Sequence, residues 1–335
     1  MKKFLVLSLC LLMAFSTVLV GCAVKDDTSD NEGNDIDSAV KFGSALYVSA
    51  PSVTDATEDK NGSGKLDVTL AALTVDADGK IVACALDTAS NTVNFTADGK
   101  AIANDEFLTK YELGADYNMV AYGGATKEWF EQADAFETLV VGKTIDQVKS
   151  LVADANKGTD EVINAGCTIM IHEFVGAIEK AYNAANVQIS ADADLKANIA
   201  TEQTCTDATE EKDGSNKIAV NVFGAAVDAD GKVLASSSDC VEVSFTFDAH
   251  GLSTLDTTKE ILSKKEQGTN YNMVTYGGAT KEWFEQAAAF DAACTGKSIE
   301  EIAGLVAEDG KGVSDLQNAG CTIYVTGFVK AATKH

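Results

Sequence analysis

Tyr122-Gly-Gly-Ala-Thr-Lys-Glu-Trp-Phe-Glu-Gln-Ala133 recurs without change as Tyr276 to Ala287, 154 residues further on. The match extends outward in both directions. Tyr117-Asn-Met-Val120 returns as Tyr271 to Val274, Gly142-Lys143 as Gly296-Lys297, and Asn164-Ala-Gly-Cys-Thr-Ile169 as Asn318 to Ile323. Further upstream, Val75-Asp-Ala-Asp-Gly-Lys80 answers Val227 to Lys232 at an offset of 152. A period this long is too large for a solenoid unit and reads as a tandem duplication of a domain. The expected domains are 40–185 and 196–335, each folding alone, with a short linker at 186–195.

Within each copy, strands precede helices. Leu66, Val68, Leu70 and Ala72 alternate along one face, Asp76 to Gly79 supplies a turn, and Ile81 to Leu86 returns, the pattern of a hairpin. Ile218, Val220 and Val222, the turn at Asp228 to Gly231, and Val233-Leu234 repeat it. Trp129, Phe130, Ala133 and Phe136 then recur at helical spacing, with Thr126 as the expected cap. Thr144 with Gln147, and Ser298 with Glu301, have the spacing of capping boxes. A last helix is expected to start near Thr168, burying Phe174 and Ile178, and its counterpart near Thr322, burying Phe328. Strand hairpins followed by helices, twice, give an α+β fold class with two tandem duplicated domains.

The chain has 335 residues, with 26 basic side chains, all lysine, against 51 acidic ones and a net charge of −25. That balance repels nucleic-acid phosphates, so nucleic acid is excluded as a partner. At the N-terminus, Lys2-Lys3 precede an apolar run from Phe4 to Val20, then Gly21 and Cys22, the layout of a secretory signal. Leu19-Val20-Gly21-Cys22 resembles the lipobox of bacterial lipoproteins, which implies a signal peptide at 1–21 and a lipidated Cys22. An uncleaved anchor is the other reading of the same run, though it is short for a span. The acidic tract after Cys22 reads as a flexible tether over 22–39. The expected location is the cell membrane, lipid-anchored and facing outside the cytoplasm.

Six cysteines remain beyond Cys10 and Cys22, and only Cys167 and Cys321 occupy equivalent positions. Disulfides are permitted in an exported chain, a Cys205–Cys240 bridge among them. No histidine is repeated, and HExxH, P-loop, nucleophile-elbow and EF-hand patterns are absent, so no metal site is expected. Asp76-Ala-Asp78-Gly79 reads as a hairpin turn rather than a Ca²⁺ loop. The repeated Asn-Ala-Gly-Cys-Thr stretches are expected at helix starts, where free N–H groups favour a phosphate. A simple helix start with a capping Thr is the alternative. Tyr122 and Tyr276 are candidate ring contacts.

The D-G-K hairpin, the intervening helices and a G-x-T motif before a terminal helix together resemble the FMN-binding domain of bacterial exported electron-transfer proteins. The likeness extends to tandem extracellular flavin lipoproteins. In that family a flavin transferase esterifies a threonine of an S/T-G-A-T motif with FMN. The resemblance implies Thr168 and Thr322 as acceptors, with Gly166, Cys167, Gly320 and Cys321 beside the flavin. Ala165 and Ala319 stand where the family's leading Ser/Thr lies, and Val162 and Leu316 where its aspartate lies. Two function classes follow. One is a flavin redox carrier, fed by a membrane electron donor, in which the protein positions the cofactor rather than acting as a catalyst itself. The other is a cofactor-free cell-envelope ligand-binding or surface-interaction lipoprotein.

The lipobox resemblance makes the first prediction. Cys22→Ser should abolish lipid attachment and release the protein from the membrane fraction. Intact mass of membrane-derived wild type lacking a diacylglyceryl adduct would refute it.

Overall fold

Two antiparallel hairpins of unusual length set the architecture. The computed structural model describes residues 39–334; the signal segment, Cys22 and the tether up to residue 38 lie outside them. In the first repeat β3 (Gly62–Val75) pairs with β4 (Ile81–Phe95) across the turn at Asp76. Asp76 Oδ1 accepts the N–H groups of Asp78 and Lys80, and Gly79 takes φ +76°. This is the expected hairpin turn, with the glycine where a side chain would be strained. β1 (Ala39–Val48) pairs with the other edge of β3, β2 (Ser52–Thr54) pairs with β3 near its start, and β5 (Ala101–Ile102) extends β4. Residues 186–195, expected as a linker, contain β6 (Val187–Ser190), which pairs with β1 and completes the sheet.

The second repeat builds a three-stranded sheet from β7 (Asp194–Thr206), β8 (Gly214–Val227) and β9 (Val233–Phe247), in the order β7-β8-β9. Both long hairpins carry a register shift at the same place, at Thr74/Val75 and at Ala226/Val227. Helices then follow in each repeat. The first has α1 (Lys110–Leu113), α2 (Trp129–Val140), α3 (Ile145–Lys149), α4 (Asp160–Ala165) and α5 (His172–Ala184). The second has α6 (Lys264–Gln267), α7 (Trp283–Cys294), α8 (Ile299–Ala303), α9 (Ser314–Asn318) and α10 (Thr326–Ala332). The fold is α+β, and no described helix is long and apolar enough to cross a membrane.

Strand parity decides what each face covers, because side chains alternate across a sheet. Ala71, Leu73 and Val75 point outward and pack with Trp129, Phe136, Phe174 and Ile178 of the first repeat's helices. Phe223, Ala225 and Val227 do the same under Trp283, Phe290 and Phe328. The opposite faces meet each other: Leu66, Val68 and Leu70 pack directly on Ile218, Val220 and Val222. The result is four layers, helices–sheet–sheet–helices. Phe95 and Phe247, at matching hairpin positions, stack ring on ring at 4.4 Å between the two sheets. Phe245 lies over Gly64, where an added Cβ would fall 2.2 Å from its ring. The two repeats therefore bury these inner faces against each other in a shared core.

The cap patterns are mixed in outcome. Gln147 accepts the Thr144 N–H at 2.9 Å, and Glu301 accepts that of Ser298 at 2.8 Å, so both capping boxes form. Thr126 is not the cap of α2. The helix begins at Trp129 behind Glu128, whose N–H donates to Glu131 while its own carboxylate accepts the Met119 N–H. A carboxylate at this place both fastens the preceding loop and favours the positive helix end. The Cys205–Cys240 bridge is ruled out by register. Cys205 sits opposite Asn216 and Cys240 opposite Asn221, five residues apart along β8, or about 17 Å, beyond disulfide reach. All six cysteines in the described residues are free thiols.

A shared core predicts joint unfolding. Leu70→Ala, a change confined to the first repeat, should cost about 2–5 kcal/mol and lower a single thermal transition of the whole protein. Two separate calorimetric transitions, only one of them shifted, would show independent domains instead.

Candidate functional site

The Asn-Ala-Gly-Cys-Thr stretches close helices rather than open them. α4 stops at Gly166, φ +102°, whose N–H reaches the Ile163 and Val162 carbonyls. Gly320, φ +101°, follows α9 in the same way. A left-handed residue past the last turn is the usual helix stop, and glycine takes it without strain. Cys167 and Cys321 turn inward and are fully buried, and burial pushes each thiol up to about 11. They pack in the core instead of flanking a ligand.

Thr168 and Thr322 are exposed, as a modifiable hydroxyl requires, but they lie four residues before α5 and α10. Their N–H groups are not free helix-end donors. Each points at the side-chain oxygen of a buried glutamine, Gln132 or Gln286, at 2.8 Å in both repeats. The threonine hydroxyls donate to the same oxygens at 3.0 and 2.9 Å. The glutamine amides turn back to the carbonyls of Lys127 and Lys281. This satisfies polar groups that would otherwise be buried at a cost of about 1–3 kcal/mol each. The anion site expected at these N–H groups therefore does not form. Tyr122 and Tyr276 are 89% and 85% exposed and neither lines the cavity beside Thr322.

That cavity belongs to the second repeat and has a volume of about 740 Å³. Trp283, Tyr271 and Tyr324 form aromatic walls, and Thr322 stands at its edge. Lys264 lies 5.4 Å from the Tyr271 ring centre and 5.5 Å from that of Trp283, with its ammonium 3.0 Å from Glu242. Lys311 stands 5.8 Å over the Tyr324 ring. A cation on an aromatic face is held by the ring's quadrupole, so both lysines are positioned without a ligand. Sequence reasoning found Thr322 but missed Lys264, Lys311 and Tyr324. Both lysines left a trace, as the 154-residue counterparts of Lys110 and Lys157, whereas Tyr324 answers Met170. No protein-family model, curated relative or solved structure matches the chain.

A second polar cluster lies where the first repeat's β4 meets β7. Asp87, Glu137 and Tyr111 line a 370 Å³ cavity there, together with Lys196 and Lys334. Burial raises Asp87 to about 7, against opposing hydrogen bonds from Thr109, Thr88 and Tyr111. Burial also raises Glu137 to about 8, against the Leu86 N–H, with the charges of Asp134 and Asp87 adding to the rise. In the second repeat the matching carboxylates, Asp239 and Asp291, have Lys265 beside them where Tyr111 stands in the first.

This difference predicts a pH dependence. The folded pKa values of Asp87 and Glu137 are raised, so the native state holds protons that the unfolded chain has released. Their contribution is intact below about pH 4 and is lost as pH rises to about 8. Tyr111→Lys, which copies the second repeat, should flatten that fall in stability between pH 5 and 8. Parallel pH profiles for wild type and variant in denaturant titrations would contradict it.

Proposed function

We propose that the protein is a lipid-anchored, extracytoplasmic flavin-binding protein that carries electrons at the cell membrane. The observation that supports this reading is the exposed residue Thr322 at the edge of a cavity of about 740 Å³ bordered by Tyr271 and Tyr324. The residues meet the group in part: Tyr271 and Tyr324 border the cavity beside the buried Trp283, but Lys264 and Lys311, the cavity's two lysines, already lie over those rings. Four carboxylates, Glu202, Glu242, Glu308 and Asp309, line the same cavity against those two lysines. That balance disfavours holding a phosphate dianion by charge alone, and favours a covalent phosphoester at Thr322, made by a flavin transferase. When bound, FMN supplies reversible redox chemistry. The chain's own residues would position it and set the charge around it.

A cofactor-free binding protein is the second reading, and the glutamine clamp favours it. Thr168 and Thr322 are held by Gln132 and Gln286 in the same way, a role in fastening the chain that needs no ligand.

Protein purified from its native host separates the two. The flavin reading expects a visible flavin absorbance band and a peptide containing Thr322 heavier by the mass of FMN less one water. Colourless protein with unmodified peptides, from a host with an active flavin transferase, would leave the cofactor-free reading.

A further inference from the structure

We propose that a cleft between the two repeats, separate from the cavity beside Thr322, binds an uncharged amphipathic small molecule with an apolar body and a hydroxylated head.

The sandwich has two such clefts, and strand register makes them equivalent. One lies between β1 and α5 of the first repeat and β9, α6 and α7 of the second, with a volume of about 610 Å³. The other lies between β7 of the second repeat and β4, α1 and α2 of the first, with a volume of about 370 Å³. Ser44 pairs with Ala72 as Ala197 pairs with Gly224, and Leu70 pairs with Asp87 as Val222 pairs with Asp239. The same ion pair joins the repeats at each cleft: Lys180 to Glu266 at 2.5 Å, and Lys334 to Glu112 at 2.7 Å.

The clefts differ in what fills them. Lys196, Asn198 and Glu137 line the narrower one where Gly43, Ala45 and Asp291 line the wider, and Tyr111 stands in the place of Lys265. Hydroxyl groups differ as well. Ser44, Ser236 and Ser237 of the wider cleft occupy the places of Ala197, Cys84 and Ala85. Ser44 is 5% exposed, and its hydroxyl has no hydrogen-bond partner among the described residues. The narrower cleft is filled by its own side chains; the wider one is left open and gains polar groups.

Charge selects the class of occupant. Lys180 is held by Glu266, while Lys265 donates to the Ser237 hydroxyl at 2.8 Å and lies 3.6 Å from Asp291. The buried Asp239 accepts the backbone N–H groups of Lys265 and Cys240. Two lysines face three carboxylates, and every one of the five is already engaged. An ion entering here would lose its hydration without gaining a free counter-charge. The walls suit an uncharged molecule instead. Phe42, Leu46, Leu70 and Val222, none more than 2% exposed, close the inner end, and Val187, Ala184 and Ala288 bring apolar surface to the mouth. Ser237, Lys265, Asn183 and Asn186 supply hydrogen-bonding groups along the same cleft. An apolar concavity with a few polar groups, set between two structural units, is the common form of a small-molecule site.

Titration calorimetry of the full-length protein with octyl β-glucoside, kept below its micelle concentration, tests the assignment. The glucoside should bind at least about tenfold more tightly than glucose, octyl sulfate or octyltrimethylammonium. Ala288→Trp and, separately, Ala184→Trp place a ring at exposed positions of the mouth and should each weaken binding roughly tenfold or more, with thermal unfolding showing the variants folded. Ala184→Trp covers the case in which Ala288→Trp fails to fold. Glucoside binding that the folded variants leave unchanged would lie elsewhere on the molecule and would overturn the site. Equal binding of glucose, or tighter binding of either charged amphiphile, would overturn the ligand class. Absence of glucoside binding to wild type would overturn both.

Discussion

The packing of one sheet on the other is the contact on which the remaining structure depends. Leu66, Val68 and Leu70 meet Ile218, Val220 and Val222 with essentially no exposure, and each such side chain contributes about 1.5–3 kcal/mol by leaving water. Separated, each repeat would present this row of apolar side chains to solvent. Because the inner faces are used in this way, the outer faces are left for helices. Leu73 and Phe223 lie under them, and the ends of β3 and β8 are buried on both sides. The candidate cavity sits in an outer layer, between β8 and α10, and is therefore held by the same sandwich.

Within the outer layers, one polar contact places the threonines. Gln132 and Gln286 come from the repeated helix motif, and each is buried with its amide fully engaged. Each takes both hydrogen-bond donors of its threonine, fixing the chain between a helix stop and the next helix start. The arrangement directs each hydroxyl proton inward, onto the glutamine oxygen. A single contact thus has a structural role in both repeats, and at Thr322 it also borders a cavity.

The repeats differ most where charge is buried. The first keeps Asp87 and Glu137 close together with Tyr111 between its helices and β4; the second places Lys265 beside Asp239 and Asp291. The first keeps Asp67 and Glu173 where the second has Ala219 and Gly327, whereas the second's cavity carries Glu202, Glu242, Glu308 and Asp309, with Glu242 paired to Lys264 and Lys217. Burial raises Asp239 as it raises Asp87 and Glu137, and Lys265 opposes that rise in the second repeat. Similar backbones therefore carry distinct electrostatic sites.

Much of the local structure was legible in the sequence by itself. The exact repeat set the order of elements, the alternation of Leu66, Val68 and Leu70 marked a strand face, and Thr144–Gln147 and Ser298–Glu301 marked helix starts. These patterns are local: they depend on backbone period and on side chains within a few residues of one another. Thr126 and Thr168 misled because a threonine near a helix resembles a cap whether or not its oxygen reaches a free N–H, and here Glu128 and the glutamines took those roles. Which surface covers the Leu66–Leu70 face, and whether Thr322 borders open space, depend on residues far apart in the chain. Ala219, Lys264, Thr322 and Gly327 form one cavity only after two hairpins and several helices have packed, so the tertiary structure alone decided where a ligand could fit.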